Sequence, residues 1–319
     1  MKILVINDRF EEKHFVAIKK AANEAGAEVH FYTSDKDIPQ TDFDADIIYG
    51  FAPEVVKVDK NLKWLCVPWA GVDSLMKPGY FANEECLLTN GAGSYGVSIA
   101  EHMIAVSLVL LRRLNEFFDE TRSGFWGSMR DQKSLKDCRI TVLGTGDIGT
   151  TFAKRARAFE PASLIGVCRS GKAQAGIYDS VLPVSRLDEI LPQTDLLAMS
   201  LPKTPETTNI LTRARIELLP QGAFIINVGR GNAIDEEALL EHLQNGHLGG
   251  AGLDVFQKEP LPKESPLWKQ KNLVITPHMA GNLTIQYTKD KNVDMFIEDL
   301  RNFTAGRSLR YLVDRKLGY

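Results

Sequence analysis

Arg139-Ile140-Thr141-Val142-Leu143-Gly144-Thr145-Gly146-Asp147-Ile148-Gly149 is the stretch whose reading decides the fold. Ile140, Val142 and Leu143 form a short β-branched and aliphatic run of the kind a buried parallel strand uses. The run breaks at a G-x-G-x-x-G, and a helical pattern follows from Ile148 to about Ala158. In such a turn the first glycine makes the bend, the second lets backbone approach a pyrophosphate, and the third lets helix pack on strand. The helix N-terminus then presents N–H groups and a positive dipole end to the phosphates. Glycine-rich turns are common, but one set between a strand and a helix points to dinucleotide binding. A long stretch of chain precedes it, enough for a separate unit.

At 319 residues the length allows two domains, each with its own core. A net charge of -3 argues against nucleic acid or a membrane surface as partner. Cys66, Cys86, Cys138 and Cys168 show no C-x-x-C spacing and read as reduced thiols of a cytoplasmic protein. Met1 leads straight into the strand-like K-I-L-V-I, so no signal peptide is expected. The longest apolar stretch, Met103 to Leu111, is far short of the ~20 residues of a membrane span. The six histidines are scattered and there is no H-E-x-x-H, so no metal site is expected.

Upstream of the fingerprint, strand-like runs at Ile3–Ile6, Val29–Tyr32, Ile47–Tyr49, Trp64–Val67 and Leu87–Thr89 alternate with helical ones, such as Glu11–Ala25 closed by Gly26. This predicts a β/α domain with a parallel sheet and no fingerprint of its own. Val67 opens into Pro68-Trp69-Ala70-Gly71-Val72-Asp73, a loop at a strand's carboxyl end, where α/β proteins keep ligands. It reads equally well as a plain glycine turn. Val97 to Leu114 is helical and nearly apolar all round, a pattern that predicts burial on every side and a place in a subunit interface. After the fingerprint, further strands are expected at Leu164–Cys168, Leu196–Met199, Phe224–Val228, Leu253–Val255 and Leu273–Thr276. The segment beyond Gly281, with a helix over roughly Thr284–Phe303, is too short for a third domain and is expected to complete the first.

Three of these strands hand over to polar groups. Asn227-Val228-Gly229-Arg230-Gly231 sets a guanidinium between glycines, a planar fork suited to a carboxylate. Asp254-Val255-Phe256-Gln257-Lys258-Glu259-Pro260 offers two carboxylates, and Thr276-Pro277-His278-Met279-Ala280-Gly281 fixes a histidine after a proline. Each alone reads as an ordinary surface residue. Together, downstream of a dinucleotide fingerprint, they supply an arginine for a carboxylate, a histidine for proton transfer and an acid to orient it.

Residues 64 to 281 resemble the D-isomer-specific 2-hydroxyacid dehydrogenases. The matching pieces are W-A-G-V-D (69–73), A-E-H (100–102), G-T-G-D-I-G, S-L-P-K-T (200–204), N-V-G-R-G, D-V-F-Q-K-E-P and T-P-H-M-A-G. The resemblance implies an α/β chain with a central Rossmann coenzyme domain over 98–282. Beside it would stand a smaller flavodoxin-like substrate domain built from 1–97 and 283–319, with the active site in the cleft. It also implies that Arg230, Glu259 and His278 are the catalytic set, and that Ala70, Gly71 and Val72 hold the substrate carboxylate through backbone N–H groups, with Trp69 beside them in the substrate site. Gly144, Thr145, Gly146, Asp147, Ile148 and Gly149 would hold the coenzyme, with Leu201, Pro202, Thr207, Val228 and Asp254, the last at the nicotinamide carboxamide. Family members are typically homodimers.

One departure bears on the coenzyme. NAD-dependent members usually carry an acid at the end of the second Rossmann strand. Here that strand runs into Arg169-Ser170-Gly171-Lys172. Arg169 can clamp a 2′-phosphate, with Ser170 and Lys172 adding a hydrogen bond and a charge, so NADP is expected ahead of NAD. The expected chemistry is reversible reduction of a 2-keto acid to a D-2-hydroxy acid. In it His278 donates the proton, Glu259 favours the imidazolium, and Arg230 binds the carboxylate and polarises the keto oxygen. Two alternatives stand beside it: a coenzyme-sensing interaction module of corepressor type, and a formate or phosphite dehydrogenase.

Overall fold

In the computed structural model, which describes residues 1–172 and 176–318, alternation along the first strands sorts side chains onto two covered faces. The strands are β1 (Lys2–Ile6), β2 (Glu28–Tyr32), β3 (Ile47–Gly50), β4 (Trp64–Cys66) and β5 (Leu87–Thr89), all parallel, in the order β2-β1-β3-β4-β5. That order is the flavodoxin-like one. Ile3, Val5, Ile47, Tyr49 and Trp64 point to one core, and Leu4, Ile6, Ile48 and Leu65 to the other. The first face is covered by α1 (Glu12–Glu24) through Ile18, Ala21 and Ala22, and by the C-terminal helix Gln286–Thr304 through Val293, Phe296 and Leu300. Phe296 stacks on Tyr49 with ring centroids 4.2 Å apart. The second face takes Val55 and Val56 of α2 (Pro53–Val58). Beyond the last helix the chain bridges back to β5, with Val313 N–H donating to the Leu88 carbonyl at 2.8 Å. Both chain ends therefore build this unit, Met1–Tyr95 with Asn282–Tyr319, and Gly96–Gly281 forms the second.

The second unit is a seven-stranded parallel sheet. Its strands are β6 (Arg139–Leu143), β7 (Ser163–Cys168), β8 (Ser180–Pro183), β9 (Leu196–Met199), β10 (Ala223–Asn227), β11 (Leu248–Leu253) and β12 (Leu273–Ile275). They lie in the order β12-β11-β10-β9-β6-β7-β8. The chain runs outward from β6 to β8, then returns to β9 on the other side of β6. That reversal makes a topological switch point beside the fingerprint, where open α/β sheets bind ligands.

Three features differ from the sequence reading. The strand expected at Leu253–Val255 lies earlier, at Leu248–Leu253, because its Gly-Gly-Ala-Gly stretch carries no apolar signal. The short edge strand β8, Ser-Val-Leu-Pro, has too few apolar residues to show a pattern. The apolar helix α3 ends at Leu111, Arg113 turns left-handed at φ 55°, and a separate helix α4 (Leu114–Arg122) begins. Part of the cover for α3 comes from its own unit, while Ile104, Leu108 and Val109 stay half-buried and Ala105 exposed. Val106 and Leu110 lie over Gly252 and Gly250 of β11, where any Cβ would collide with them, and the helix also packs on α5 (Asp147–Arg157). Among the described residues, the most exposed apolar side chains of this unit, Phe125, Trp126 (93% exposed) and Met129 (98%), follow α4, with Phe118 on it; Phe159, Leu218, Trp268 and Met279 are exposed elsewhere.

Candidate active site

The segment after β12 is built around one carboxylate. Asp254, buried at the end of β11, accepts the Thr276 hydroxyl at 2.6 Å and the Met279 N–H at 2.8 Å through Oδ1, and the Ala280 N–H at 3.0 Å through Oδ2. The His278 N–H is shared between the carbonyls of Asp254 and Thr276, at 2.8 and 3.0 Å. Pinned on both sides, His278 holds a left-handed backbone, φ 50°, and its side chain stands half exposed. Its Nδ1 lies 2.7 Å from Glu259 Oε2, and Glu259 Oε1 accepts the Phe256 N–H at 2.9 Å. An ionised carboxylate only accepts, so Nδ1 carries a proton and Nε2 is the nitrogen left to exchange one with a ligand.

Arg230 follows β10 on a loop organised by buried Asn227, whose Oδ1 accepts the Gly229 N–H at 3.0 Å and whose Nδ2 donates to the Arg230 carbonyl at 2.9 Å. Buried Val228 donates its N–H to the Met199 carbonyl at 3.1 Å. Gly231 leaves no room for a Cβ against the Phe256 carbonyl, so this loop and the one leading to Glu259 touch backbone to backbone. The three residues expected to be catalytic thus follow three neighbouring strands, β10, β11 and β12.

At the fingerprint, Gly144 turns with φ 102°, and at Gly149 a Cβ would overlap the Gly144 carbonyl, as close strand–helix packing requires. Gly146 caps α5 in extended backbone with open space beside it, and Ile148 lies in the first turn. The Thr145 carbonyl accepts the Thr150 hydroxyl at 2.9 Å. The Asp147 carboxylate lies against Gly96, the first residue of α3, where a Cβ would sit 2.5 Å from Oδ1. An anion there favours the helix N-terminus. After β7 the chain closes a tight turn at Gly171, φ 68°, with Cys168 Sγ donating to the Lys172 carbonyl at 3.3 Å and Lys172 N–H donating to Ser170 Oγ at 3.3 Å. This gathers Arg169, Ser170 and Lys172 on one exposed turn. Burial works the other way, yet hydrogen bonds from Thr145, Ser170 and the backbone hold the Cys168 thiol below its ordinary value. After β9, Leu201 packs on the core, while Thr207 Oγ donates to the Pro202 carbonyl at 2.7 Å and accepts the Thr204 N–H at 2.8 Å. An open, cradled glycine at a helix N-terminus beside a cationic turn fits a phosphorylated dinucleotide.

In the other unit, the loop Trp69–Val72 has its carbonyls engaged. Pro68 O accepts the Tyr95 hydroxyl at 2.7 Å and Asn292 Nδ2 at 2.8 Å, Trp69 O accepts Gly91 N–H at 2.8 Å, and Ala70 O accepts Asn90 Nδ2 at 2.7 Å. In a trans peptide the next N–H points opposite the carbonyl, so the N–H groups of Ala70 and Gly71 face away from these partners.

Two contacts around these loops were not read from the sequence. His102, on α3, has Nε2 3.3 Å from Thr276 Oγ1, and burial holds its imidazole below its ordinary value while Asp254 pulls the other way. Both residues stand in the matching motifs, but no spacing brings positions so far apart together. Glu206 was also missed. Its own backbone N–H, then the Thr204 hydroxyl and the charge of Arg169, hold its carboxyl below the ordinary range. Among the described residues no group of three or more His, Cys, Asp or Glu could hold a metal ion. Among them, too, no helix is long and apolar enough to cross a membrane.

With this geometry in hand, comparison with known proteins is specific. A family model described as D-isomer specific 2-hydroxyacid dehydrogenase, NAD binding domain, matches residues 104–280. A curated relative, the "uncharacterized protein in proB 3′region" of Corynebacterium melassecola, is 31% identical over 283 residues, 86% of this chain and 90% of its own. The solved structure of a D-isomer specific 2-hydroxyacid dehydrogenase family protein from Aeromonas salmonicida subsp. salmonicida A449 superposes with a TM-score of 0.86 at 32% identity, covering 98% of this chain and 99% of that one. That of a D-isomer specific 2-hydroxyacid dehydrogenase from Xanthobacter autotrophicus Py2, in complex with NADPH and MES, gives 0.82 at 28% identity and covers 99% of both.

Proposed function

We infer that this chain, which belongs to the D-isomer-specific 2-hydroxyacid dehydrogenase family, reduces a 2-keto acid to the D-2-hydroxy acid with NADPH preferred over NADH. Interconversion of 2-keto and 2-hydroxy acids with a nicotinamide coenzyme is the family's chemistry and this chain's. The observation that carries the finer reading is the 2.7 Å contact between His278 Nδ1 and Glu259 Oε2. It holds one imidazole nitrogen protonated and leaves Nε2 to serve the substrate oxygen.

The residues that would hold the coenzyme are Gly144 to Gly149 at the pyrophosphate, Leu201, Pro202, Thr207 and Val228 along it, Asp254 at the carboxamide, and Arg169, Ser170 and Lys172 at a 2′-phosphate. Bound there, the reduced nicotinamide supplies the hydride. His278, protonated, donates from Nε2 to the alkoxide oxygen, and the Glu259 carboxylate steadies the positive ring. Arg230 pairs with the substrate carboxylate and draws charge toward the keto oxygen. The N–H groups of Ala70, Gly71 and Val72 also hold that carboxylate, a role their inward-turned carbonyls favour, with Trp69 beside them. NADPH, which the Xanthobacter relative holds, suits a turn with Arg169 and no acid. The exposed Phe118, Phe125, Trp126 and Met129 support a homodimer formed by the coenzyme unit. Four unpaired cysteines fit the reducing cytoplasm.

The test is a panel of glyoxylate, hydroxypyruvate, pyruvate and longer 2-keto acids with both coenzymes. His278→Ala should lower kcat by roughly 10²–10⁴-fold with coenzyme binding retained. Near-parental turnover by that variant would remove His278 from proton transfer.

A further inference from the structure

Behind the His278 loop lies a chain of groups that the catalytic set does not include. Thr276 has a single hydroxyl proton, and the 2.6 Å contact directs it to Asp254 Oδ1. The 3.3 Å contact between His102 Nε2 and Thr276 Oγ1 must then have the imidazole N–H as donor. Burial holds His102 toward its neutral form, so the tautomer is fixed with its proton on Nε2. A donor series therefore runs from α3 through Thr276 into the carboxylate that also receives Met279 N–H and Ala280 N–H. Those two amides directly follow the left-handed backbone of His278, a conformation that persists only where its surroundings over-determine it.

We propose that His102 is a positioning residue for proton transfer: through Thr276 and Asp254 it ties helix α3 to the loop that carries His278 and holds that loop in its reacting conformation. It touches no reacting atom. Its contribution is to orient the Thr276 hydroxyl, and hence the Asp254 carboxylate, toward the two loop amides. The proposal rests on the reading of His278 as the proton donor, and its test separates the two.

The experiment compares His102→Leu, His102→Gln and Thr276→Val in the full chain, with kcat, substrate KM and coenzyme Kd measured for each. Hydrogen exchange at the Met279 and Ala280 amides is followed in the coenzyme-free protein. His102→Leu should lower kcat about tenfold and speed exchange at both amides by a similar factor, leaving coenzyme Kd unchanged. Gln can donate from its amide nitrogen and should restore kcat to within about threefold of the parent. Thr276→Val, on a loop outside the core, should reproduce the leucine variant, and joining the two changes should add nothing further. If His102→Leu fails to fold, the Thr276→Val and His102→Gln arms decide alone. Unchanged exchange and kcat in Thr276→Val, or a glutamine variant as slow as the leucine one, would overturn the proposal. Should His278→Ala keep its turnover, the donor assignment falls, while amide exchange still decides whether His102 holds the loop.

Discussion

Replacing Asp254 by asparagine tests the loop architecture with almost no change of shape. The carboxylate accepts from three donors, two on Oδ1 and one on Oδ2. An amide of the same size keeps one acceptor oxygen. If that oxygen stays where Oδ1 was, the NH₂ group faces the Ala280 N–H, donor against donor. One hydrogen bond to a charged group is then lost, about 1.5–3 kcal/mol, and the other two fall to neutral strength. The total is about 3.5–6 kcal/mol, which is roughly 400- to 25,000-fold in the ratio of ordered to disordered loop. Asp254→Asn should therefore lower kcat by at least about tenfold. In a unit of this size it should also lower Tm by roughly 2–4 °C per kcal/mol lost. Steady-state kinetics and calorimetry on the same preparation read both. A variant with kcat within about twofold of the parent and an unmoved Tm would refute the claim that this carboxylate holds the loop.

Arg169→Asp should raise KM for NADPH far more than for NADH. One or two charge-assisted bonds give roughly ten- to several-hundredfold discrimination, weakening as salt is added, and equal kcat/KM for both coenzymes in the parent would sink the idea. Asp195 receives Arg139 Nε and Nη2 at 2.8 Å each, and that guanidinium holds its carboxyl below the ordinary range. A depressed carboxylate stabilises the fold above its unfolded pKa and ceases to as pH falls through the folded value. The coenzyme unit should thus lose stability in acid, and Asp195→Asn should be less stable at neutral pH, by about 0.5–1.5 kcal/mol since the Arg139 guanidinium is partly exposed, with a flatter acid limb. Light scattering should give a dimer at micromolar concentration, and Trp126→Asp with Met129→Asp should shift it toward monomer; a parent that is monomeric would overturn the assembly.

The architecture was legible wherever burial writes a pattern. Ile140 to Leu143 and Phe224 to Ile226 are central strands covered on both faces, so they show as nearly continuous apolar runs. The edge strand at Ser180 has no such pressure on it. The break at Arg113 was invisible because a left-handed residue other than glycine leaves no mark in composition. The placing of Arg230, Glu259 and His278 after three neighbouring strands was legible, since each loop is local in sequence. The tie from His102 to Thr276 was not legible, because only the tertiary fold brings α3 beside β12. The face of α3 with Val106 and Leu110 enters its own sheet over the glycines of β11, which composition alone could not show, while Ile104, Leu108 and Val109 stay half-buried.

On the proposed reading of His278 as the proton donor, its left-handed backbone sets folding and turnover against each other at a single position. A side chain in that region costs roughly 1–2 kcal/mol that glycine does not incur, and asparagine tolerates it better than most. A lineage that kept this chain only for its shape, or for sensing coenzyme, would have no reason to retain an imidazole there. Drift would favour glycine or asparagine at 278 while the rest of the loop survived unchanged. The residue at this position therefore serves as a marker among related chains: histidine records selection for chemistry, and glycine within an intact T-P-x-M-A-G would record a fold that had outlived it.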